Sequence, residues 1–311
     1  MITEARRMSY ECIVLAKQVV DARNITGEAM TPEGTVNRSA LPSIFNPEDL
    51  NALEMALRVR NERGGKVTVV TMGPPQATQL LREALYMGAD RVILLSDAAF
   101  AVSDTLATSY VLARALEKLR PFHLVFCGRQ AMDGDTAQVG PQVAEKISVP
   151  QATYVEELLE LGDSTVQVRK DTEDGYEVLR LPLPALLTVT ATAATARPYS
   201  AKRLMKYKRA SSQLELFYSM LAANPSMSRD DAGERAAEEA RKLEAKGLLI
   251  PTWTPAEIDA APDRIGRRGS PTQVMKVDWV VLKCDITRNI EPAEDAVRKL
   301  VRDLIDKHIL S

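Results

Sequence analysis

The sequence predicts an α/β protein with an open, mostly parallel sheet and helices on both faces. Three observations carry that expectation. Short, continuous apolar runs recur along the first 200 residues. Helical patterns of roughly 10–15 residues separate them. Helix-start and helix-stop residues stand at the joins. Strands covered on both faces read as unbroken apolar runs, and helices between them make βαβ units.

Cys12-Ile13-Val14-Leu15-Ala16 is the first such run, followed by an irregular stretch with Gly27, Pro32 and Gly34. Asn46-Pro47-Glu48-Asp49 reads as a helix start. Asn46 would cap, Pro47 fits the first turn, and the two acids suit the positive end of the helix dipole. Leu50, Leu53 and Leu57 supply the apolar stripe, and Gly64-Gly65 ends the helix. Val67-Thr68-Val69-Val70-Thr71 is β-branched and predicts the next strand. After the turn at Gly73-Pro74-Pro75, Leu80, Leu81, Ala84 and Leu85 mark a helix stopped at Gly88. Val92-Ile93-Leu94-Leu95 is a third strand. Asp104 or Ser103 caps a helix whose stripe is Val111, Leu112, Ala115, Leu116 and Leu119. Leu124-Val125-Phe126-Cys127 is a fourth strand, closed by Gly128, and a polar loop leads into a helix over about 136–147. Sheets of this kind bind ligands beyond the carboxyl ends of their strands, where strand order reverses. The loops beginning at Ala16-Lys17, Thr71-Met72, Leu95-Ser96 and Cys127-Gly128 are therefore the ones expected to carry function.

The pattern changes after Pro150. Apolar alternation over 166–169 and 176–181 flanks Asp174-Gly175, a hairpin signal, and residues 186–190 predict one more strand. From Arg197 the chain turns basic, with Lys202, Arg203, Lys206, Lys208 and Arg209. Residues 228–247 form a highly charged, peripheral helix with Glu238 and Lys242 four apart. A loop-rich segment over 251–271 and a candidate strand over 277–284 precede a last helix. Ala296, Val297, Leu300, Val301, Leu304 and Ile305 make its apolar face.

Composition narrows the function. Forty Lys+Arg against 42 Asp+Glu leave a net charge of −2, and aromatics are 5%, which argues against a nucleic-acid binder. No apolar run is long enough for a membrane span. The N-terminus has no apolar core of a secretory signal, and either Met1 or Met8 is a plausible start. Cys12, Cys127 and Cys284 are too few and scattered for a disulfide framework or a zinc site, so a reducing compartment, the cytoplasm, is expected. The histidines, His123 and His308, are far apart, and His123 is expected at the surface. Phosphate-loop, dinucleotide-fingerprint, zinc-protease and nucleophile-elbow motifs are all lacking. No catalytic constellation and no metal site is expected.

The informative segment runs from Gly128 to Pro141: Gly128-Arg129-Gln130-Ala131-Met132-Asp133-Gly134-Asp135-Thr136-Ala137-Gln138-Val139-Gly140-Pro141. It follows a strand and opens a helix, and Asp135 to Gln138 has capping-box spacing. Free backbone N–H groups there could hold a phosphate, with Arg129 supplying charge and Gly128 and Gly134 admitting a ligand close to the backbone. A capped βα turn without a ligand has the same composition.

This loop resembles the nucleotide-binding segment of the electron-transfer flavoprotein β subunits. Val14-Leu15-Ala16-Lys17-Gln18-Val19, Phe45-Asn46-Pro47-Glu48-Asp49, Met72-Gly73-Pro74-Pro75-Gln76-Ala77 and residues 81–91 resemble further blocks of that family in the same order. The likeness covers about 10–208, Gly269-Ser270-Pro271-Thr272 and the last helix. The stretch 209–249 departs from it and has no family role.

The resemblance implies an adenine-nucleotide α-hydrolase-like fold plus a C-terminal extension. It implies an adenine-nucleotide or FAD-binding α/β domain over 1–200. Residues 201–311 would hold a partner-recognition loop, a charged helical insert and a C-terminal arm on the α subunit. It implies a heterodimer with an α subunit, and an electron carrier rather than a stand-alone enzyme. Phe100 to Ser109 resembles the block of the FAD-binding, bifurcating subgroup, in which a second FAD takes a hydride from NADH and splits the pair. AMP, held structurally, is the alternative. The implied nucleotide contacts are Leu15, Ala16, Asn46, Pro47, Asp49, Met72, Asp104, Thr105 and Thr108. Gly128, Arg129, Gln130, Ala131, Asp133, Gly134, Asp135, Thr136, Ala137, Gln138 and Val139 complete the set. Asp104 and Thr105 would also serve as an ordinary helix cap. Ala201, Leu204 and Met205 align with the partner-recognition loop, though composition alone reads as a solvated basic loop. The implied partners are an acyl-CoA dehydrogenase-like flavoenzyme or a membrane-bound quinone oxidoreductase, with a ferredoxin or flavodoxin for bifurcation. The last helix would pack on the α subunit or on this chain's own sheet. Two other readings stand beside the flavin carrier: a structural AMP-binding module, and a solitary stress-protein-like α/β binder without flavin.

Overall fold

The computed structural model describes residues 9–21, 42–272 and 289–307. The strand expected over 277–284, the stretch around Gly27, Pro32 and Gly34, both candidate start residues, Cys284 and His308 lie outside the described residues.

The expected alternation is present. Strand β1 (Tyr10–Leu15) leads through a small antiparallel pair, β2 (Gln18–Val20) and β3 (Ser43–Phe45), into helix α1 (Pro47–Arg63). Then come β4 (Gly65–Met72), α2 (Thr78–Met87), β5 (Arg91–Leu95), α3 (Thr105–Lys118), β6 (Leu124–Gly128) and α4 (Val139–Lys146). Beyond Pro150 lie β7 (Gln151–Leu161), β8 (Thr165–Thr172), β9 (Gly175–Pro182) and β10 (Ala185–Val189). Helices α5 (Ala201–Tyr207), α6 (Gln213–Ala223) and α7 (Arg229–Ala245) follow, then the two-residue strand β11 (Thr252–Trp253) and α8 (Glu294–Asp306).

The sheet has nine strands in the order β11-β5-β4-β1-β6-β10-β7-β8-β9. The seven from β11 to β7 are parallel, and β8 and β9 extend it antiparallel. Strand side chains alternate between faces. Cys12 and Val14 of β1 therefore join Val67, Val69 and Phe126 against α1 and α2. Ile13 and Leu15 join Ile93, Leu95 and Val125 against α3 and α4. That double burial is why each strand reads as an unbroken apolar run. From β1 the chain steps to β4 and β5 on one side, then crosses to β6 on the other. Strand order thus reverses at β1, and a crevice opens over the carboxyl ends of β1 and β6.

Several expectations need correction in detail. The helix expected from Thr136 begins at Val139, because Asp135 (φ 47°) and Ala137 (φ 51°) hold left-handed backbone that interrupts a helix. The hairpin between β8 and β9 turns at Glu173-Asp174, with Thr172 paired to Gly175. The basic stretch after Tyr199 is not a loop but the short helix α5. The charged helix α7 is peripheral yet anchored: Ala232, Ala236, Ala240 and Leu243 are buried, and α7 packs against α6. Helix α8 leaves Val297, Leu300, Val301 and Ile305 exposed and contributes nothing to either core, so packing on this chain's own sheet is not observed among the described residues. His123 is half-buried rather than at the surface, its Nδ1 accepting the Glu11 amide at 2.9 Å. Cys12 and Cys127 are buried as small apolar residues, and burial pushes both thiols well above their ordinary range. No described helix is long and apolar enough to cross a membrane.

Gly128 sits where the strand end meets α1. A Cβ there would stand 2.7 Å from Asp49 Oδ1 and 2.7 Å from Glu48 Cβ, and 2.9 Å from the Asp49 amide. Crowding of that kind forces backbone movement. Gly128→Ala is expected to lower stability by about 1–3 kcal/mol, read as a lower denaturation midpoint. An unchanged midpoint would mean that the strand end has room to spare.

Candidate functional site

The loop after β6 is held by the first turn of α1. Asp49 Oδ1 accepts the Gly128 amide at 2.7 Å and its Oδ2 accepts the Lys17 amide at 2.9 Å, so one carboxylate ties together the ends of β6 and β1. Glu48 Oε2 accepts the Gln130 amide at 3.0 Å, and Glu48 Oε1 pairs with the Arg129 guanidinium at 3.0 Å. Asn46 stands at the N-cap position but its side chain caps nothing. Its Nδ2 donates to the Gln130 carbonyl (2.9 Å) and its Oδ1 accepts the Met132 amide (3.1 Å). The Asn-Pro-Glu-Asp start is thus a clamp on the neighbouring loop rather than a helix cap. Gly128 is required by that clamp and not by ligand approach. Gly134 has open space around it.

The two acids of this loop, Asp133 and Asp135, are both engaged. Asp133 pairs with Lys17 Nζ at 2.6 Å. Asp135 Oδ1 accepts from Gln130 Nε2 at 2.9 Å, so the expected capping box with Gln138 does not form. The amides of Thr136, Ala137, Gln138, Val139 and Gly140 find no acceptor among the described residues. With left-handed backbone at 135 and 137 and right-handed backbone at 138, these N–H groups line a concave nest at the positive end of α4. Such a nest suits a phosphate.

A second helix N-terminus adjoins it. Asp104 caps α3, its Oδ1 accepting the Ala107 amide at 3.0 Å. Its Oδ2 accepts the Thr272 amide at 3.0 Å, while Ser270 Oγ accepts the Asp104 amide at 2.8 Å. Thr105 Oγ1 donates to Gln138 Oε1 (2.9 Å) and Ser109 Oγ to Gln142 Oε1 (2.8 Å), zipping the starts of α3 and α4 together. Val102, just before this cap, is exposed at φ 62°, a backbone that β-branched residues adopt only under constraint.

The crevice is about 1490 Å³ in volume, above the usual 300–1000 Å³ of a small-ligand cleft. Seventeen of the twenty nucleotide-site candidates line it. Asn46, Pro47 and Asp133 are not on its lining; Asn46 and Asp133 shape the loop instead. Leu15, Ala16, Met72, Asp104, Thr105 and Thr108 face the same space as the 128–139 loop, apart from Met132 and Asp133. The loops beginning at Ala16-Lys17 and Leu95-Ser96 were expected to carry function, but Lys17 and the Ser96–Val102 rim were not among the named contacts, and the wall made by Phe217 and Tyr218 was not anticipated. Lys17 was legible as the charged residue closing β1. The wall was not, because its helix falls in the 209–249 stretch, where none of the recognisable motif blocks stands. Two polar atoms on the lining are buried and unpartnered among the described residues: Arg129 Nε and Thr252 Oγ1. A nucleotide's phosphates and sugar would satisfy such atoms, so the residues present fit a nucleotide. Ala201, Leu204 and Met205 lie away from this crevice on α5, which Arg203 fixes to α2 through the Leu85 carbonyl at 2.6 Å. Met205 is 63% exposed.

Burial of Asp49 pushes its carboxyl up to about 7, against the backbone bonds from Lys17 and Gly128 that favour the ionised form. A carboxyl raised on folding stabilises fully below its unfolded value near 4 and loses that contribution as pH rises through about 7. The melting-temperature gap between wild type and Asp49→Asn is therefore expected to narrow from pH 5 to pH 8, measured by thermal melts across pH. A gap that widens would show a carboxyl lowered, not raised, by its site.

Comparison with known proteins agrees with this geometry. The family model described as the electron transfer flavoprotein domain matches residues 33–213. The chain is 37% identical over 298 residues to the electron transfer flavoprotein subunit beta of Clostridium acetobutylicum, covering 96% of this chain and 99% of that one. It is 46% identical over 299 residues to protein FixA of Sinorhizobium fredii (94% and 91% covered). It is 40% identical over 265 residues to subunit CarD of the caffeyl-CoA reductase-Etf complex of Acetobacterium woodii (85% and 86% covered). With a parallel sheet reversing at β1, a clamped loop beyond β6 and these likenesses along nearly its whole length, the chain belongs to the electron transfer flavoprotein β-subunit family.

Proposed function

We propose that this chain is the β subunit of a heterodimeric electron carrier and holds FAD in the crevice between β1 and β6. The observation that carries this reading is the joining of two helix N-termini around one large cleft. The amides at 136–140 suit one phosphate, and the start of α3, bonded to Gln138 through Thr105, borders the space where a second phosphate and further rings would extend. AMP would use the nest and leave the α3 side of the cleft empty, which makes it the second reading.

When bound, a flavin supplies hydride and single-electron chemistry. The chain's own residues bind and orient it. Lys17 and Arg129 set positive charge at the rim, each already balanced by a carboxylate, Asp133 and Glu48 respectively. Met72, Phe100 and Leu112 give the cleft an apolar side that excludes water. The partners follow from the family: an α subunit, then an acyl-CoA dehydrogenase-like flavoenzyme or a quinone oxidoreductase, working in the cytoplasm. Oxidation of NADH with electron bifurcation to a ferredoxin or flavodoxin is the fuller form of this role. Relatives named for a caffeyl-CoA reductase-Etf complex and as an acryloyl-CoA reductase electron transfer subunit support a reductase as acceptor or donor. In this reading residues 1–200 form the nucleotide unit and 201–311 serve the partner, with α6 and α7 also facing the cleft. The exposed Met205, beside half-buried Leu204 in a basic helix, suits an apolar anchor inside a charged rim.

Co-expression with the α subunit, followed by acid release of bound nucleotides, tests the cofactor. Two FAD per heterodimer are expected; one FAD with one AMP would replace this reading by the structural-AMP one, and a colourless solitary chain would overturn both. Met205→Asp is expected to slow electron transfer to the acceptor roughly tenfold while leaving the nucleotide content unchanged. Unaltered transfer would remove α5 from the docking surface.

A further inference from the structure

Helix α6 is strongly apolar, with Leu214, Leu216, Phe217, Met220 and Leu221 among its eleven residues, yet none of its residues is buried. Leu214, Phe217 and Tyr218 stand at i, i+3 and i+4, on one helix face. That face lines the crevice, with Gly233 and Ala236 of α7 contributing beside it. An apolar face left half-exposed on a cleft wall is surface that a bound ligand would cover.

The hairpin of α6 and α7 is not loosely attached. Ser212 caps α6 through the Glu215 amide (3.1 Å), and its hydroxyl bonds the Thr78 hydroxyl at the start of α2 (3.1 Å). Arg82 of α2 grips Glu215 with two bonds, at 2.7 and 3.0 Å, and donates to the Ala210 carbonyl. Backbone bonds between Ser211 and both Leu248 and Ile250 close the base of the hairpin. These ties fix α6 beside the turn that follows β4, whereas the nest follows β6, with β1 between them. Two strand spacings, about 10 Å, separate the two sides. A nucleotide whose phosphate rests on the nest and which spans the crevice therefore meets α6 with one of its rings.

We infer that the α6–α7 hairpin is the ring-binding wall of the cleft, in which Phe217 and Tyr218 receive a planar heteroaromatic ring of the bound nucleotide and so help decide which nucleotide is held. The inference rests on the nucleotide reading of the crevice. The two rings stand edge to face, with centroids 5.1 Å apart and planes at 80°. Arg229 lies over Phe217 at 5.6 Å, fixing that ring from α7. A rigid aromatic corner of this kind presents flat surface to a ring at little entropic cost. Gly233 and Ala236 of α7 line the cleft beside it.

The test uses the co-purified complex with the α subunit, stripped of nucleotide and titrated calorimetrically with FAD and, separately, with AMP. Phe217→Leu/Tyr218→Leu keeps apolar bulk and removes both flat rings. It is expected to weaken whichever nucleotide the wild type binds by roughly tenfold or more, the usual scale of base–aromatic stacking. Phe217→Tyr is expected to stay within about threefold of wild type, since a flat ring is retained. Tyr218→Leu alone, at a residue 46% exposed, stands in should the double variant fold poorly. Wild-type affinity in the leucine variants overturns the wall while leaving the nucleotide reading intact. A wild-type complex that binds neither FAD nor AMP overturns both.

Discussion

Everything at the carboxyl edge of this sheet depends on three side chains in and before the first turn of α1. Asn46, Glu48 and Asp49 take up the Gly128, Gln130 and Met132 amides, and Asp49 also takes the Lys17 amide. A loop that follows a buried strand has amides that must find partners. Here they find them on a helix rather than within the loop. The loop can then run irregularly along the crevice and leave the five amides from 136 to 140 without an acceptor among the described residues. Glycine at 128 is the steric condition for this arrangement, since any side chain would strike the same two carboxylate residues.

The clamp also explains how a row of unpaired amides coexists with so many acids. Asp104, Asp49 and Glu48 accept backbone amides, and Asp133, Asp135 and Glu48 have side-chain partners in Lys17, Gln130 and Arg129. Their charge is spent on positioning. What remains directed at the cleft is the positive end of α4, the nest beside it and the adjoining start of α3. Counting charges along the loop therefore misjudges its field; following each hydrogen bond gives the sign.

The sheet was legible because its strands obey one rule, double burial, which writes an unbroken apolar run into the sequence at β1, β4, β5, β6 and β10. Helix ends at Gly64, Gly88 and Asp104 were legible because caps act locally. What escaped was set by tertiary partners. Asn46 has the composition of a cap, but Met132 and Gln130 compete for its amide and win. Thr136 follows a capping-box residue, yet left-handed backbone at Asp135 and Ala137 delays the helix to Val139. Helix α6 escaped because its apolar face meets a cleft, so its pattern fits neither a core helix nor a solvated one. The site candidates were legible as a loop and strand ends, and the wall opposite them was not.

That asymmetry has a physical root. Residues that hold a phosphate act through backbone amides, so the necessary features are turns, caps and a glycine, which recur in recognisable order. Residues that hold a ring act through shape, and many side chains on many scaffolds supply a flat apolar surface. The phosphate half of a nucleotide cleft is thereby confined to a narrow set of sequences, while the ring half is free to be built from an added element. The helical hairpin of α6 and α7 is pinned to α2 by Arg82–Glu215 and Thr78–Ser212, apart from the clamp. Among the described residues it shares no hydrogen bond or ion pair with the clamp residues Asn46, Glu48 and Asp49, and it shapes only the far side of the crevice.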